Sequence, residues 1–218
     1  MSTPNEKLAA SLAKLNELQS GGRCVFRSAE LSRIHRERLV RNGFMLEVMK
    51  GWLISAKPGT SPGDTTPWFS AFWEFCARYC AHRFDDAWHL SSEQSLLLHV
   101  LDGAVPAQIV VCSPKGTNNA IHLPFHTSLY DLNVRQMPLA TDLTVWNGIR
   151  VFEATAALIR VPESFFQFKS VEAAVALASI ADGSDLLRRL LDGGHSAVAG
   201  RLAGAFRHVN CDDIADDI

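Results

Sequence analysis

The sequence predicts an α+β fold in two parts, and three features carry that expectation. Apolar residues recur at helical spacing in the first 18 positions and give way to a period-two ribbon from residue 44. A stretch dense in Pro, Gly, Ser and Thr, AKPGTSPGDTTP at 56–67, then interrupts the chain. Beyond it, strand-like runs mix with helical ones, and the tail reads as helical.

In order, Leu8, Leu12, Leu15 and Leu18 align one apolar stripe on a helix over 5–18, which Gly21-Gly22 ends. Cys24-Val25-Phe26 is a short strand candidate, and Ser28 can cap a very short helix through Ser32. A second helix spans 34–42. Ile34, Leu39 and Val40 are expected to face inward and Arg36, Arg38 and Arg41 outward, with Gly43 as the left-handed stop. Phe44, Leu46 and Val48 then alternate with Met45 and Glu47, Lys50-Gly51 turns the chain, and Trp52-Leu53-Ile54 returns as the partner strand. Helix, strand, two tightly joined helices and a two-stranded ribbon is the element order of a winged helix-turn-helix. The expected domains are therefore a winged helix-turn-helix at 1–57, a linker at 58–67, and an α/β domain with C-terminal helices at 68–218.

Charge is segregated onto the first part. Between Arg23 and Lys50 there are seven Arg or Lys against three Glu, a local +4 in a chain whose net charge is −2. A helix that enters a DNA major groove needs donors for phosphates and forked donors for base edges, and arginine supplies both. His35, Arg36, Arg38 and Arg41 are the candidate DNA-binding residues, with Lys50 at the wing tip as a phosphate contact. A solvated basic face, or one that meets an acidic protein, is the competing reading. Composition (47% hydrophobic, 20% charged) fits a soluble globular chain rather than a disordered or fibrous one. No apolar run approaches the roughly 18 residues of a membrane span. The charged N-terminus MSTPNEKLAASLAKLNEL argues against a signal peptide, so a cytoplasmic location is expected.

In the second part, Thr66-Pro67 opens a helix on which Phe69, Phe72, Trp73, Cys76 and Cys80 recur through Arg83. Ser91 and Gln94 have capping-box spacing before the helical run 96–101. Strands are expected at 108–112, 120–125 and 132–134, and a hairpin at 143–146 and 149–152 around Asn147-Gly148. Helices follow at 154–160, 171–179, 185–191 and 196–206.

Little in the chain resembles a catalytic or cofactor site. Cys76, Cys80 and His82 have metal-like spacing, but both cysteines fall on an aromatic helix face and a second cysteine pair is missing. His122 and His126 flank Pro124-Phe125, which excludes a zinc pair on one helix face. Residues 113–119, SPKGTNN, lack the phosphate-loop pattern and read as a polar hairpin turn. Asp185, Arg188, Arg189 and His195 could form a polar cluster, although the arginines suit an exposed helix end. The expectation is therefore no catalytic centre, no cofactor and no metal. The five cysteines lack a disulfide spacing, and Cys76, Cys80 and Cys112 sit among apolar neighbours as core residues do.

Ser28-Ala29-Glu30-Leu31, followed by Arg38-Leu39-Val40-Arg41-Asn42-Gly43 and the Gly51-Trp52 strand, resembles the N-terminal winged helix of AbiE-type abortive-infection antitoxins. The segment 88–111, with Leu98-His99 in its helix and Val105-Pro106 before a strand, resembles that family's second domain, and Ile149-Arg150-Val151-Phe152 entering a helix at Ala154 continues the match. Almost the whole chain, including VMKGWLIS, TPWFSAFWEFCARYC and GGHSAVAGRLAGAFR, is similar to the leader before the catalytic domain in a subgroup of bacterial Fic proteins. The antitoxin resemblance implies a transcriptional regulator that binds double-stranded operator DNA through Arg36, Arg38, Arg41 and Lys50 and restrains a toxin partner. A homodimer is expected, since single modules bind short operators weakly. The Fic resemblance implies the alternative, a non-catalytic regulatory region that contacts a Fic-type AMP-transferase domain into which such a leader would run on. The histidine-containing HPF…GN loop of that chemistry has no counterpart at Leu123-Pro124-Phe125, and no glutamate is followed by Gly or Asn as the family's inhibitory helix requires. A nuclease or nucleotidyl-transfer enzyme in the second part is the third reading.

Overall fold

The computed structural model describes residues 3–59, 63–101 and 103–218. It is a mixed α+β structure with three separate sheets. Helix α1 (Pro4–Leu18) begins at a reciprocal cap in which Thr3 and Glu6 exchange side-chain and backbone hydrogen bonds. Strand β1 (Val25–Arg27) and a single 3-10 turn (Ser28–Glu30) lead to α2 (Arg33–Arg41), capped by Ser32, whose hydroxyl accepts from the His35 amide. Gly43, at φ +74°, ends α2: its amide bonds the Val40 carbonyl while the Phe44 amide bonds that of Leu39. Strands β2 (Met45–Met49) and β3 (Trp52–Ser55) form the hairpin, and β1 joins on the far side to give the antiparallel order β1-β3-β2.

That first sheet is covered on both faces. Leu53 and Met45 pack with Phe26, Leu31, Leu39 and Leu15 under α1 and α2. Val25, Trp52 and Ile54 face the other way, against Trp68, Phe72, Phe75 and Tyr79 of α3 (Thr66–Phe84). Burial on both sides explains the unbroken apolar run Trp52-Leu53-Ile54 where a half-exposed ribbon would alternate. Glu74 of α3 fastens the outer edge of β1, accepting from the backbone amides of Cys24 at 3.0 Å and Val25 at 3.2 Å. Residues 60–62 of the expected linker lie outside the described residues. On α3 the buried stripe is Trp68, Ala71, Phe72, Phe75, Cys76, Tyr79 and Cys80, whereas Phe69 is exposed and Trp73 half-buried. Thr65 rather than Thr66 holds the cap position, and Asp64 accepts from the Thr66 amide.

The second sheet has the order β4-β5-β7-β6, from β4 (His89–Leu90), β5 (Gln108–Ser113), β6 (Asn119–His122) and β7 (Ser128–Asn133). Strands β5 and β7 are parallel and the other pairs antiparallel. Ile109, Val111 and Leu129 pack into the same cluster as the α3 aromatics, so α3 is shared between the two sheets. Hairpin β8 (Leu143–Trp146) and β9 (Ile149–Phe152) turns at Asn147 and Gly148, both at positive φ, as the dipeptide predicts. Helix α4 (Ser92–Leu101) and the helices α5 (Ala154–Arg160), α6 (Glu163–Phe168), α7 (Ser170–Ala178), α8 (Ser184–Gly193), α9 (Ser196–His208) and α10 (Asp212–Asp217) enclose a separate apolar cluster centred on Leu96, Phe152, Leu186, Leu202 and Phe206. Helices α6 and α10 and most of β7 have no counterpart in the expectations from sequence.

Candidate nucleic-acid interface

The five candidate DNA-binding residues divide into two groups. His35 and Arg38 turn toward α1: the His35 ring is hydrogen-bonded to the Ser11 hydroxyl at 2.9 Å. Arg38 donates to the same hydroxyl at 2.9 Å and to the Lys7 carbonyl at 2.7 Å. The outward placement expected for Arg38 is thereby corrected, and with it the inward placement of Ile34 and Val40. Ile34 is 65% exposed and Val40 also lies at the surface, leaving Leu39 as the buried residue of α2. The reason is that α2 meets α1 through the polar Ser11–His35–Arg38 contact on one flank and through Leu39 beneath, so the apolar residues of α2 do not mark its inner face.

Arg36, Arg41 and Lys50 make no salt bridge or side-chain hydrogen bond among the described residues. Arg36 and Lys50 line one groove of about 300 Å³ with Ser28, Glu47, Gly51 and Leu53, between α2 and the β2–β3 turn. Lys50 is carried there by the tight hairpin, in which Gly51 takes φ +90° and a register shift between Glu47 and Met49 accommodates the turn. At 100° per residue, the stripe opposite Leu39 consists of Glu37, Arg41 and Ile34, flanked by Arg33. Arg33 donates to Glu37 at 2.7 Å across one helical turn. That hydrogen bond, with the charges of Arg33, Arg36 and Arg41, holds the Glu37 carboxyl below its usual range. Arg33, Ile34 and Glu37 were not among the sequence candidates. The α2 register seen here reveals them, and no local sequence signal does.

Arg23 and Arg27, on and beside β1, are engaged. Arg23 pairs with Glu30 at 2.6 Å, and Arg27 lies over the Trp52 ring and bonds the ring of His82. Cys76 and Cys80 are fully buried in the aromatic face of α3, and His82 is turned to Arg27. His122 and His126 are both exposed. Loop 113–119 wraps a resident carboxylate: Asp131, fully buried on β7, accepts from the Asn119 amide at 2.9 Å, Arg83 at 2.8 Å and the Thr117 hydroxyl. Burial pushes the Asp131 carboxyl up, and those donors outweigh it and hold it below its usual range.

Asp185, Arg188 and Arg189 do come together. Asp185 accepts from Arg189 at 2.7 Å, from Arg188 and from Thr155, and buried Asp142 accepts from Arg160 at 2.6 Å and from Arg189. His195 lines the same cleft of about 210 Å³. Every arginine in this cleft is matched to an aspartate, which leaves a neutralised ion network between α5, α8 and the turn before β8 rather than an open anion site. Among the described residues no helix is long and apolar enough to cross a membrane. No family model matches the chain, and no curated protein matches it.

Proposed function

We propose that the N-terminal part is a winged helix-turn-helix and that the protein is a DNA-binding regulator of the antitoxin type, with α2 as its recognition helix. The observation that carries this reading is the placement of Arg36 and Lys50 in one groove between α2 and the adjoining hairpin turn, with Arg41 on the outer stripe of α2, none of the three making a salt bridge or side-chain hydrogen bond among the described residues. The order helix, strand, short turn, helix, hairpin and the sheet order β1-β3-β2 support it, as does the resemblance to AbiE-type antitoxins. Arg36 and Lys50 are assigned to phosphates on either side of the groove, and Arg41 to the exposed outer stripe. His35 and Arg38 set the angle of α2 on α1. The test is an electrophoretic shift of the full-length protein on the DNA upstream of its own gene. A shift that weakens steeply with salt is the expected result, and no shift at low salt refutes the reading.

A second reading, a regulatory region that docks on a toxin or on a Fic-type catalytic domain, is favoured by the α6–α7 surface. Phe168 is 82% and Val171 72% exposed there, with Val175 on the same side one turn further on. Apolar exposure of this kind marks protein contact more often than nucleic-acid contact. Co-purification of the Fic-type domain or toxin with the wild-type chain, lost on Phe168→Asp, is the result this reading expects.

A further inference from the structure

Helix α7 is apolar on its solvent side as well as on its inner side. Ala173, Ala176 and Leu177 are buried in the C-terminal cluster, while Val171, Val175 and Ala178 lie exposed on the opposite face, within about 60° of one another around the helix. Its one charged residue, Glu172, is held by Lys169 at 3.5 Å. Two apolar faces are the make-up of a buried helix, and monomers rarely leave such a surface open. Phe168, at the head of the exposed ridge, is the most exposed large apolar side chain among the described residues. Beside the ridge runs a trough of about 180 Å³ between α7 and the end of α9, lined by the small side chains of Ser170, Ala173, Ala174 and Ala205 together with Phe166 and Val209. Ala174, on the trough side, neighbours Val171 and Ala178 at helical spacing, so ridge and trough adjoin. A ridge and a trough side by side on one surface are complementary to themselves under a twofold axis, because the ridge of each copy can enter the trough of the other. Charge points the same way. No Lys, Arg, Asp or Glu lines the trough, Lys169 is paired with Glu172, and Arg207 at the end of α9 is paired with Asp216 at 2.8 Å. These groups meet their own copies already neutralised, and no surplus of one sign selects an oppositely charged protein.

We infer that this face joins two copies of the chain, with Phe168 and the Val171 and Val175 ridge of each seated in the α7–α9 trough of the other. The inference goes beyond the DNA-binding reading and gives the α6–α7 surface a different occupant from the toxin or Fic-type domain of the second reading. The test is analytical ultracentrifugation of the full-length protein alone, over a dilution series and with no DNA present. Wild type is expected at twice the chain mass at the upper end of the series. Phe168→Asp drives a charge into the trough and Ala174→Trp fills it. Each is expected to raise the dimer dissociation constant about thirty-fold or more, the effect of removing an interface hot spot, with circular dichroism unchanged. Val145→Asp, at an exposed apolar residue of the β8–β9 hairpin, leaves the dimer intact. A monomer throughout, a dimer that either folded variant leaves intact, or one that Val145→Asp disrupts equally overturns the inference. So does a wild-type monomer that binds the toxin or Fic-type domain through Phe168, which gives the face to the second reading. Each of these results is read without DNA and leaves DNA binding standing, whereas a dimer that shifts no duplex refutes only the DNA reading.

Discussion

The Arg38 guanidinium donates to the Ser11 hydroxyl at 2.9 Å, and that hydroxyl also bonds the His35 ring, so two residues of the recognition-helix candidate hold it against α1. A basic side chain on α2 can therefore be a strut or a ligand contact, and substitution separates the two. Arg38→Ala is expected to lower unfolding stability by about 1–2 kcal/mol, since it removes hydrogen bonds around the buried Ser11. Arg41→Ala is expected to leave stability within about 0.5 kcal/mol of wild type and to weaken DNA binding. Urea denaturation and a binding titration on the same preparations check the contrast, and equal stability losses would argue against it.

Glu74 ties α3 to the free edge of β1 through two backbone amides and also accepts from the Cys24 thiol. Glu74→Ala leaves both amides without a partner and is expected to cost about 2–6 kcal/mol, at about 1–3 kcal/mol for each unmade bond. Burial, followed by the Glu74 hydrogen bond and charge, pushes the Cys24 thiol up to about 12. The native thiol should therefore resist alkylation at mildly alkaline pH, and Glu74→Gln should accelerate it. Peptide-level mass spectrometry after a timed alkylation reads the difference.

Asp131 makes the acid limb of stability specific. Its folded pKa lies below the ordinary 3.8, so its contribution is fully present above that value and is lost as the pH falls from there through the lower folded value. Asp131→Asn is expected to cost about 3 kcal/mol at neutral pH by leaving Arg83 without its buried partner. It should also flatten the pH dependence below the carboxylate range. Chemical denaturation at a series of acidic pH values measures both, and an unchanged acid limb in the variant would contradict the assignment.

Trp52 is wedged edge-on to Phe75 at a centroid distance of 5.7 Å, with Val25 and Ile54 beside it against α3. A fragment of residues 1–57 exposes all three and is expected to lack a cooperative thermal transition, unlike the full chain. A sharp melt of the isolated fragment would show that its core under α1 and α2 is sufficient by itself.

The elements that sequence periodicity and turn chemistry identify are those whose signals are local. The Asn147-Gly148 hairpin, the Leu12–Leu15–Leu18 stripe of α1 and the Gly43 stop follow from neighbouring residues alone, and all three are present. The inner face of α2 is not legible in its periodicity because it depends on a contact with Ser11, 24 and 27 residues away from His35 and Arg38, which no helical period encodes. Strand β7 starts earlier and runs longer than the expected 132–134 because its centre is the polar Asp131, whose buried role becomes intelligible only with Arg83 and Thr117 around it. At the candidate interface, Arg36, Arg41 and Lys50 were legible as charge on a helix and a turn. Ile34 was not, because apolar character on a helix ordinarily signals the core.

The central claim is that the guanidinium groups of Arg36, at the groove, and Arg41, on the outer stripe of α2, neutralise phosphates, and the salt dependence of binding tests it most directly. Each neutralised phosphate contributes a slope of about −0.9 in a plot of log affinity against log salt concentration. Arg36→Ala combined with Arg41→Ala should make the slope shallower by about one to two such units while the fold remains intact by circular dichroism. A slope unchanged from wild type in the doubly substituted, folded protein would contradict the account.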